Sequence, residues 1–235
     1  MIRKLKPWHW LAITVHFGIA LLLLWFALAY GGLPRLWSHH EHMRIRQRDQ
    51  IISYTAQDIP ADPINLHIFG SREVLACAFR RAGWFQADDV ALWPAIKIVG
   101  SVILDRAYPN APVSNLYVRD MVQEIAFEKT EGRSADKRHH VRFWRIGRDN
   151  WLGAATFDRG VGLSLFTLQI THHIGPDIDG ERGMIGGLLK SSGGLARRSE
   201  PSRISAGQWH RNGGGDKYRS DGLIANYVVR TDPCR

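Results

Sequence analysis

Residues 11–30 form an apolar run without a single Asp, Glu, Lys or Arg. About twenty such residues, wound as a helix, match a bilayer hydrocarbon core of roughly 30 Å, so this run divides the chain before any other feature is weighed. Trp8 and Trp10 at one end, and Tyr30 and Trp37 at the other, suit the interfacial belts of a membrane span. His16 is the one awkward residue, tolerable as a neutral imidazole. The rival reading is a cleaved signal peptide, because Ala27-Leu28-Ala29 looks like a cleavage site. Against it, the run exceeds the usual signal-peptide core of about 7–15 residues. The expected organisation is therefore a basic segment at 1–8, an anchor at 9–33, a juxtamembrane linker at 34–60 and a soluble domain at 61–235. Arg3, Lys4 and Lys6 compete with Arg35, Arg44, Arg46 and Arg48 in setting orientation; the balance leans to an extracytoplasmic domain. The linker arginines either rest on anionic lipid, each contributing about 1 kcal/mol near the surface, or are simply solvated.

A chain of 235 residues with 45% hydrophobic and 23% charged content holds one anchor and one domain with a sizeable core. The net charge of +9 points to anionic partners. No zinc-finger spacing or aromatic RNA-binding string accompanies it, so membrane lipid or a phosphate-bearing small molecule is favoured over nucleic acid. Cys77 and Cys234 are the only cysteines. They make no disulfide framework; Cys77 reads most simply as a buried thiol, and a bridge to Cys234 requires an oxidising compartment.

Within the domain, 64–69 is a short strand, and Ser71 caps a helix carrying Val74, Leu75, Ala78, Phe79 and Ala82, closed by Gly83. Pro94 opens a second, largely apolar helix through Leu104, either buried or touching lipid, with burial preferred. Segments 113–118, 124–128, 138–146, 151–158 and 166–174 are strand-like, joined mostly by short loops that favour antiparallel neighbours. A helix over 181–190, a basic Gly/Ser-rich mobile loop over 191–215 and a final strand over 222–229 complete the order. The expected fold is α+β: an N-terminal transmembrane helix, then a mainly antiparallel sheet with helices packed on one face.

Two His-His pairs dominate the search for a site. On alternating strands, His139 and His172 should face the core, while His140 and His173 face away. The bland account of the first two is a core imidazole bonded to its surroundings. His140, Arg142 and His173, if their strands are neighbours, offer a cation for phosphate and a proton donor or acceptor near neutral pH; the alternative is an ordinary polar sheet face. Asp158 either orients an imidazole or starts a turn, the turn being favoured by Gly160. Asp177, Asp179 and Glu181 resemble a cation loop by count alone, and Asp179 reads better as a helix cap. His172, His173 and Asp177 are poor joint metal ligands, since adjacent strand residues point to opposite faces, and no metal site is assigned. Asn212-Gly213-Gly214-Gly215-Asp216 could turn backbone N–H groups to an anion, but a plain turn is the stronger reading.

Arg138-His139-His140-Val141-Arg142-Phe143-Trp144, Trp151-Leu152-Gly153-Ala154-Ala155-Thr156-Phe157-Asp158, the string from Thr171-His172-His173 to Asp177, Asp179 and Arg182, and Gly214-Gly215-Asp216 with Asp221-Gly222 together resemble the LssY C-terminal domain family. Asp62-Pro63-Ile64-Asn65, Gly70-Ser71-Arg72-Glu73 and Ala111-Pro112-Val113-Ser114 fit as well, so the resemblance spans about 62–229. It implies work at a membrane, because related domains occur fused to polytopic membrane proteins, some lipid-phosphatase-like. It names no reaction, and the cofactor is left unknown.

The expectation is a single-pass, membrane-anchored bacterial-envelope protein whose domain binds an anionic, phosphate- or lipid-derived ligand. The catalytic candidates are His140, His173 and Asp158; the ligand-binding candidates are Arg142, His139, His172, Asp177, Asp179 and Asp221. The alternatives are a histidine-dependent hydrolase of such a ligand, and a structural part of a secretion or envelope assembly with a membrane-protein partner.

Overall fold

Strand β8 (Arg138–Gly147) lies between β7 (Ile125–Thr130) and β9 (Asn150–Leu163), and the domain is built on this antiparallel trio. The computed structural model describes residues 7–36, 52–56, 58–87, 115–132, 137–230 and 234. Further strands extend the trio on both sides: β3 (Leu66–Phe69), β14 (Leu223–Val228) and β11 (Leu195–Pro201) beyond β9, and β4 (Phe85–Gln86) beyond β7. The order is β11-β14-β3-β9-β8-β7-β4, with β10 (Ile170–Ile174) paired to the distal half of β9. Among the described residues, only the β14–β3 pair in this sheet is parallel.

Alternation along these strands makes two faces. One carries Phe127, Val141, Phe143, Trp151, Leu66 and Ile68 against helices α2 (Arg72–Arg81) and α3 (Ile178–Ser191), which contribute Leu75, Phe79, Ile185 and Leu189. Phe79 stacks on Phe127 with ring centroids 4.6 Å apart. Each such side chain contributes about 1.5–3 kcal/mol by leaving water, which makes this the principal core. The other face is covered in part by a small sheet of β1 (Ile52–Tyr54), β2 (Pro60–Pro63), β5 (Tyr117–Val118) and β6 (Met121–Val122), in the order β2-β1-β5-β6. Ile64, Leu116, Val118, Trp144, Ala154 and Ile224 pack there, and Trp144 Nε1 donates to the Leu116 carbonyl at 3.0 Å. The fold is α+β, with helices on one face of a largely antiparallel sheet, as expected.

Ser71 caps α2 by accepting from the Val74 N–H, and Gly83 follows the helix at φ +76°. Ahead of the domain, α1 (Pro7–Ala27) continues through a π-helical turn, Leu28–Gly32, as one apolar helix over Trp8–Leu36. None of its most apolar window is buried against the rest of the chain, and its length and composition suffice to cross a membrane. Thr14 Oγ1 donates to the Trp10 carbonyl, and His16 Nδ1 lies 2.7 Å from the Ala12 carbonyl, so both polar side chains bond one turn back along the helix.

Several local expectations are corrected. The strand expected over 166–174 begins only at Ile170; residues 164–169 form the β9–β10 connection, with Leu168 at φ +56°. No turn follows Asp158, because β9 runs on through Gly160 to Leu163. The stretch 191–215 is not simply a loop: it contains edge strand β11 and the hairpin strand β12 (Trp209–Arg211), which pairs with β13 (Lys217–Arg219). Helix α3 starts three residues earlier than expected, and Asp177 rather than Asp179 caps it, accepting from the Gly180 N–H at 2.9 Å. Cys77 is not a free thiol; it is bridged to Cys234 across 157 residues of sequence. The helix expected from Pro94 to Leu104 lies outside the described residues.

Candidate functional site

Arg138, His140 and Arg142 alternate along β8 and therefore share the face turned away from α2 and α3. Register sets their neighbours: Thr130, Glu128 and Ala126 on β7, and Asp158, Thr156 and Ala154 on β9. Arg138 donates to Glu128 Oε2 at 2.9 Å and to Asp158 Oδ2 at 3.1 Å, with all three side chains at most 1% exposed. His140 Nδ1 lies 3.0 Å from Asp158 Oδ1, and its Nε2 lies 2.7 Å from Thr156 Oγ1. Asp62, at the end of β2, closes the group at 3.1 Å from Arg142 Nε and 3.6 Å from His140 Nε2. Arg142 also donates to Gln123 Oε1.

His172 joins this group from β10. Its Nε2 accepts from Arg138 Nη2 at 3.2 Å, and its Nδ1 lies 3.5 Å from Asp158 Oδ2. One irregularity of the pairing carries it there. Ile174 opposes Asp158 while His173 opposes Gly160, so Arg159 is an extra residue in β9. A bulge of this kind switches which side of the strand each later residue faces.

The charges pull the titrations apart. Burial disfavours the charged His140 imidazole, but the Asp158 carboxylate and then Asp62 outweigh it and push its pKa up to about 9. Burial works against the Asp158 carboxylate too, yet His140, His172 and Arg138 hold it well below the usual range. Asp62 is likewise lowered against burial, by His140 and Arg142. Burial lowers His172 to about 4, with the Arg138 cation adding to it against the pull of Asp158. Burial raises Glu128 to about 7 despite Arg138. Its Oε1 is buried without a hydrogen-bond partner.

The other members of the sequence-based set lie elsewhere. His139 points to the helical face, where its Nδ1 meets Glu181 Oε2 of α3 at 2.8 Å and its ring packs on Phe157. Asp179 receives the Asp221 N–H and the Ser220 hydroxyl. Arg182 grips Asp221 through two nitrogens, at 2.6 and 2.8 Å, lowering the pKa of that carboxyl. Asp177, Asp179 and Asp221 thus fasten the start of α3 to the β13–β14 turn rather than meeting the histidines.

His173 does not meet His140 and Arg142 in a common cleft, and those two are buried rather than open to solvent. Instead His173 lines a separate open cleft of about 510 Å³ with Arg159, Leu163, Leu165, Trp209, Asp216 and Lys217. Asp216 organises it: Oδ1 meets His173 Nδ1 at 2.8 Å and Arg159 Nη2 at 3.3 Å, while Oδ2 accepts the Ile174 N–H. Gly162 leaves room for the ring, since a Cβ there would stand 2.6 Å from His173 Nε2. The Asn212–Asp216 turn satisfies itself, Asn212 Oδ1 accepting from the N–H groups of Gly214 and Asp216. Arg159 is half-exposed, and Lys217 has no carboxylate partner among the described residues.

Among the described residues, no three His, Cys, Asp or Glu side chains converge as a metal-binding group. Sequence reasoning missed Asp62, Glu128, Arg138, Arg159, Asp216 and Lys217. For Arg138 a signal existed, because it falls on the same alternation as His140 and Arg142; Asp62 and Asp216 stood in motif strings without a role.

The family model described as LssY C-terminus matches residues 44–224. No curated protein and no solved structure matches the chain. With most of its 235 residues covered by that match, from ahead of β1 into β14, the chain belongs to the LssY C-terminus family.

Proposed function

We propose that this domain binds an anionic, phosphate-bearing or lipid-derived ligand in the cleft lined by Arg159, His173 and Lys217. The observation that carries the reading is Lys217, a cation without an acidic partner among the described residues, beside half-exposed Arg159 and an imidazole in one open cleft. Leu163, Leu165 and Trp209 add an apolar wall, suiting an anion with a hydrocarbon portion. Asp216 neutralises part of the charge and fixes the His173 ring, leaving Lys217 as the principal counter-charge. The Cys77–Cys234 bridge favours an oxidising compartment, and hence an extracytoplasmic domain held by the Trp8–Leu36 helix.

The test is calorimetric titration of the full chain in nanodiscs with glycerol 3-phosphate, and with glycerol as the uncharged control. Binding of the phosphate alone, weakened roughly tenfold or more by Lys217→Gln, is expected for a charge-assisted contact. Equal heats for the two compounds, or no effect of Lys217→Gln, would overturn it.

A second reading, acid–base hydrolysis, rests on the charged face of β8. There His140, held protonated, and His172, held neutral and about one-third exposed, flank the same Asp158 carboxylate. Turnover of a phosphate monoester that disappears in His172→Gln, with folding intact, would favour it. Absence of both turnover and binding leaves a structural role in an envelope assembly.

A further inference from the structure

The β9–β10 connection and the β12–β13 hairpin meet at the rim of the cleft. The Leu165 N–H donates to the Gly214 carbonyl, and Leu165 lies so close to Gly215, itself at φ +92°, that a Cβ there would stand 2.7 Å from it. This contact presents apolar side chains outward: Leu165 is 67% exposed, Trp209 58% and Leu163 48%. Leu168 is also exposed, on a left-handed backbone that a leucine rarely adopts. Large apolar residues held out in a group, not scattered singly, mark a contact surface.

The surroundings say what kind. Arg219 lies over the Trp209 ring at 5.6 Å, Arg211 bonds the Gly215 carbonyl, and Arg159 and Lys217 line the cleft itself. An exposed tryptophan and leucines ringed by four cations match the boundary between acyl chains and anionic head groups. The same chain carries a helix able to cross a membrane, so a bilayer is held at high effective concentration near the domain. A protein partner would need its own complementary apolar and acidic patch, whereas a bilayer supplies both layers in the required order.

We propose that Leu163, Leu165 and Trp209, with Arg159, Arg211, Lys217 and Arg219 around them, dock the domain on the anionic surface of the bilayer that holds its own anchor. The docking rests on the reading of the cleft as an anion site and gives that anion a source, the head-group phosphate of a membrane lipid. The leucines enter the interface, the tryptophan sits at head-group level, and Lys217 meets the phosphate.

The experiment places a nitroxide at Leu165→Cys of the full chain; both native cysteines are held in their mutual bridge and leave the label unique. The chain is reconstituted in nanodiscs of phosphatidylcholine alone, or with phosphatidylglycerol. Collision with oxygen and with a water-soluble nickel chelate reports depth, and a label at Leu195→Cys on edge strand β11 is the aqueous reference. The expected result is shielding from nickel, with retained oxygen access, at 165 but not at 195. It should appear in anionic discs, and Lys217→Gln and Arg219→Gln should each reduce the docked-to-free ratio by about fivefold. A label at 165 as nickel-accessible in anionic discs as the one at 195 overturns the docking. So does shielding that is the same in neutral discs; where oxygen access is lost with it, a protein contact is identified instead. Glycerol 3-phosphate binding measured on the same samples separates the two claims: if it persists while the label stays aqueous, the cleft is an anion site for a soluble ligand and only the docking fails.

Discussion

Raising the pH from 7 to 9 should destabilise the domain through one residue, His140. Folding raises its pKa from 6.5 to about 9, so the folded chain keeps a proton that the unfolded chain has already released. The stabilisation is complete below 6.5 and is lost as pH rises through 9. Two neighbours titrate lower. Glu128 is raised from 4.5 to about 7, so its contribution declines between those values; His172 is lowered from 6.5 to about 4, so its contribution is lost as pH falls through that interval. These two slopes oppose each other below 7. Above 7 His140 acts without them, and one proton over two pH units corresponds to about 3 kcal/mol. For a domain of this size that is roughly 6–12 °C of melting temperature. Near-ultraviolet circular dichroism of the full chain in nanodiscs is a suitable assay, because Trp144 and Trp151 are fully buried on opposite faces of the sheet. His140→Gln, which cannot titrate, should melt lower but lose the slope. A wild-type melting temperature that is flat or rising between pH 7 and 9, or a slope that survives His140→Gln, would refute the reasoning.

Other consequences follow from the same contacts. Asp158→Asn removes the carboxylate shared by two buried cations, Arg138 and His140, and should cost about 3–5 kcal/mol by denaturant unfolding, far more than Asp221→Asn at the half-exposed clamp. Reducing the Cys77–Cys234 bridge frees a 157-residue loop and should lower stability by up to roughly 5 kcal/mol; an unchanged midpoint in reductant would show that the bridge constrains little. Gly162→Ala should displace the His173 ring and weaken glycerol 3-phosphate binding, leaving the His140 pH slope intact.

The sheet was legible because alternation is a local property. Alternation puts His140, Arg142 and Trp144 on one face and Val141 and Phe143 on the other, and β8 keeps that division. What the sequence could not show was that the face of His140 is covered. Asp62 and strands β1 and β2 of the small sheet reach it from more than seventy residues upstream, and the burial that they impose is what turns a polar face into a coupled charge network. The histidines of β10 depart from the alternation for a different reason. An extra residue in β9 leaves no mark in a hydrophobic pattern, yet it decides that His172 rather than His173 joins His140. Strands β11 and β12 were hidden by composition: their glycine, serine and arginine neighbours read as a loop, and β11 is exposed along its whole length. Asp216 reads in sequence only as part of a glycine turn, although the turn is what holds its carboxylate against His173.

Titration of the full chain with glycerol 3-phosphate, followed through the ring nitrogens of ¹⁵N-labelled histidine, tests the cleft most directly. The account predicts that the His173 resonances move with ligand while those of His140 stay fixed, and that Lys217→Gln removes the movement. Resonances of His140 or His172 moving in place of His173 would contradict it, and would transfer the ligand to the buried face of β8.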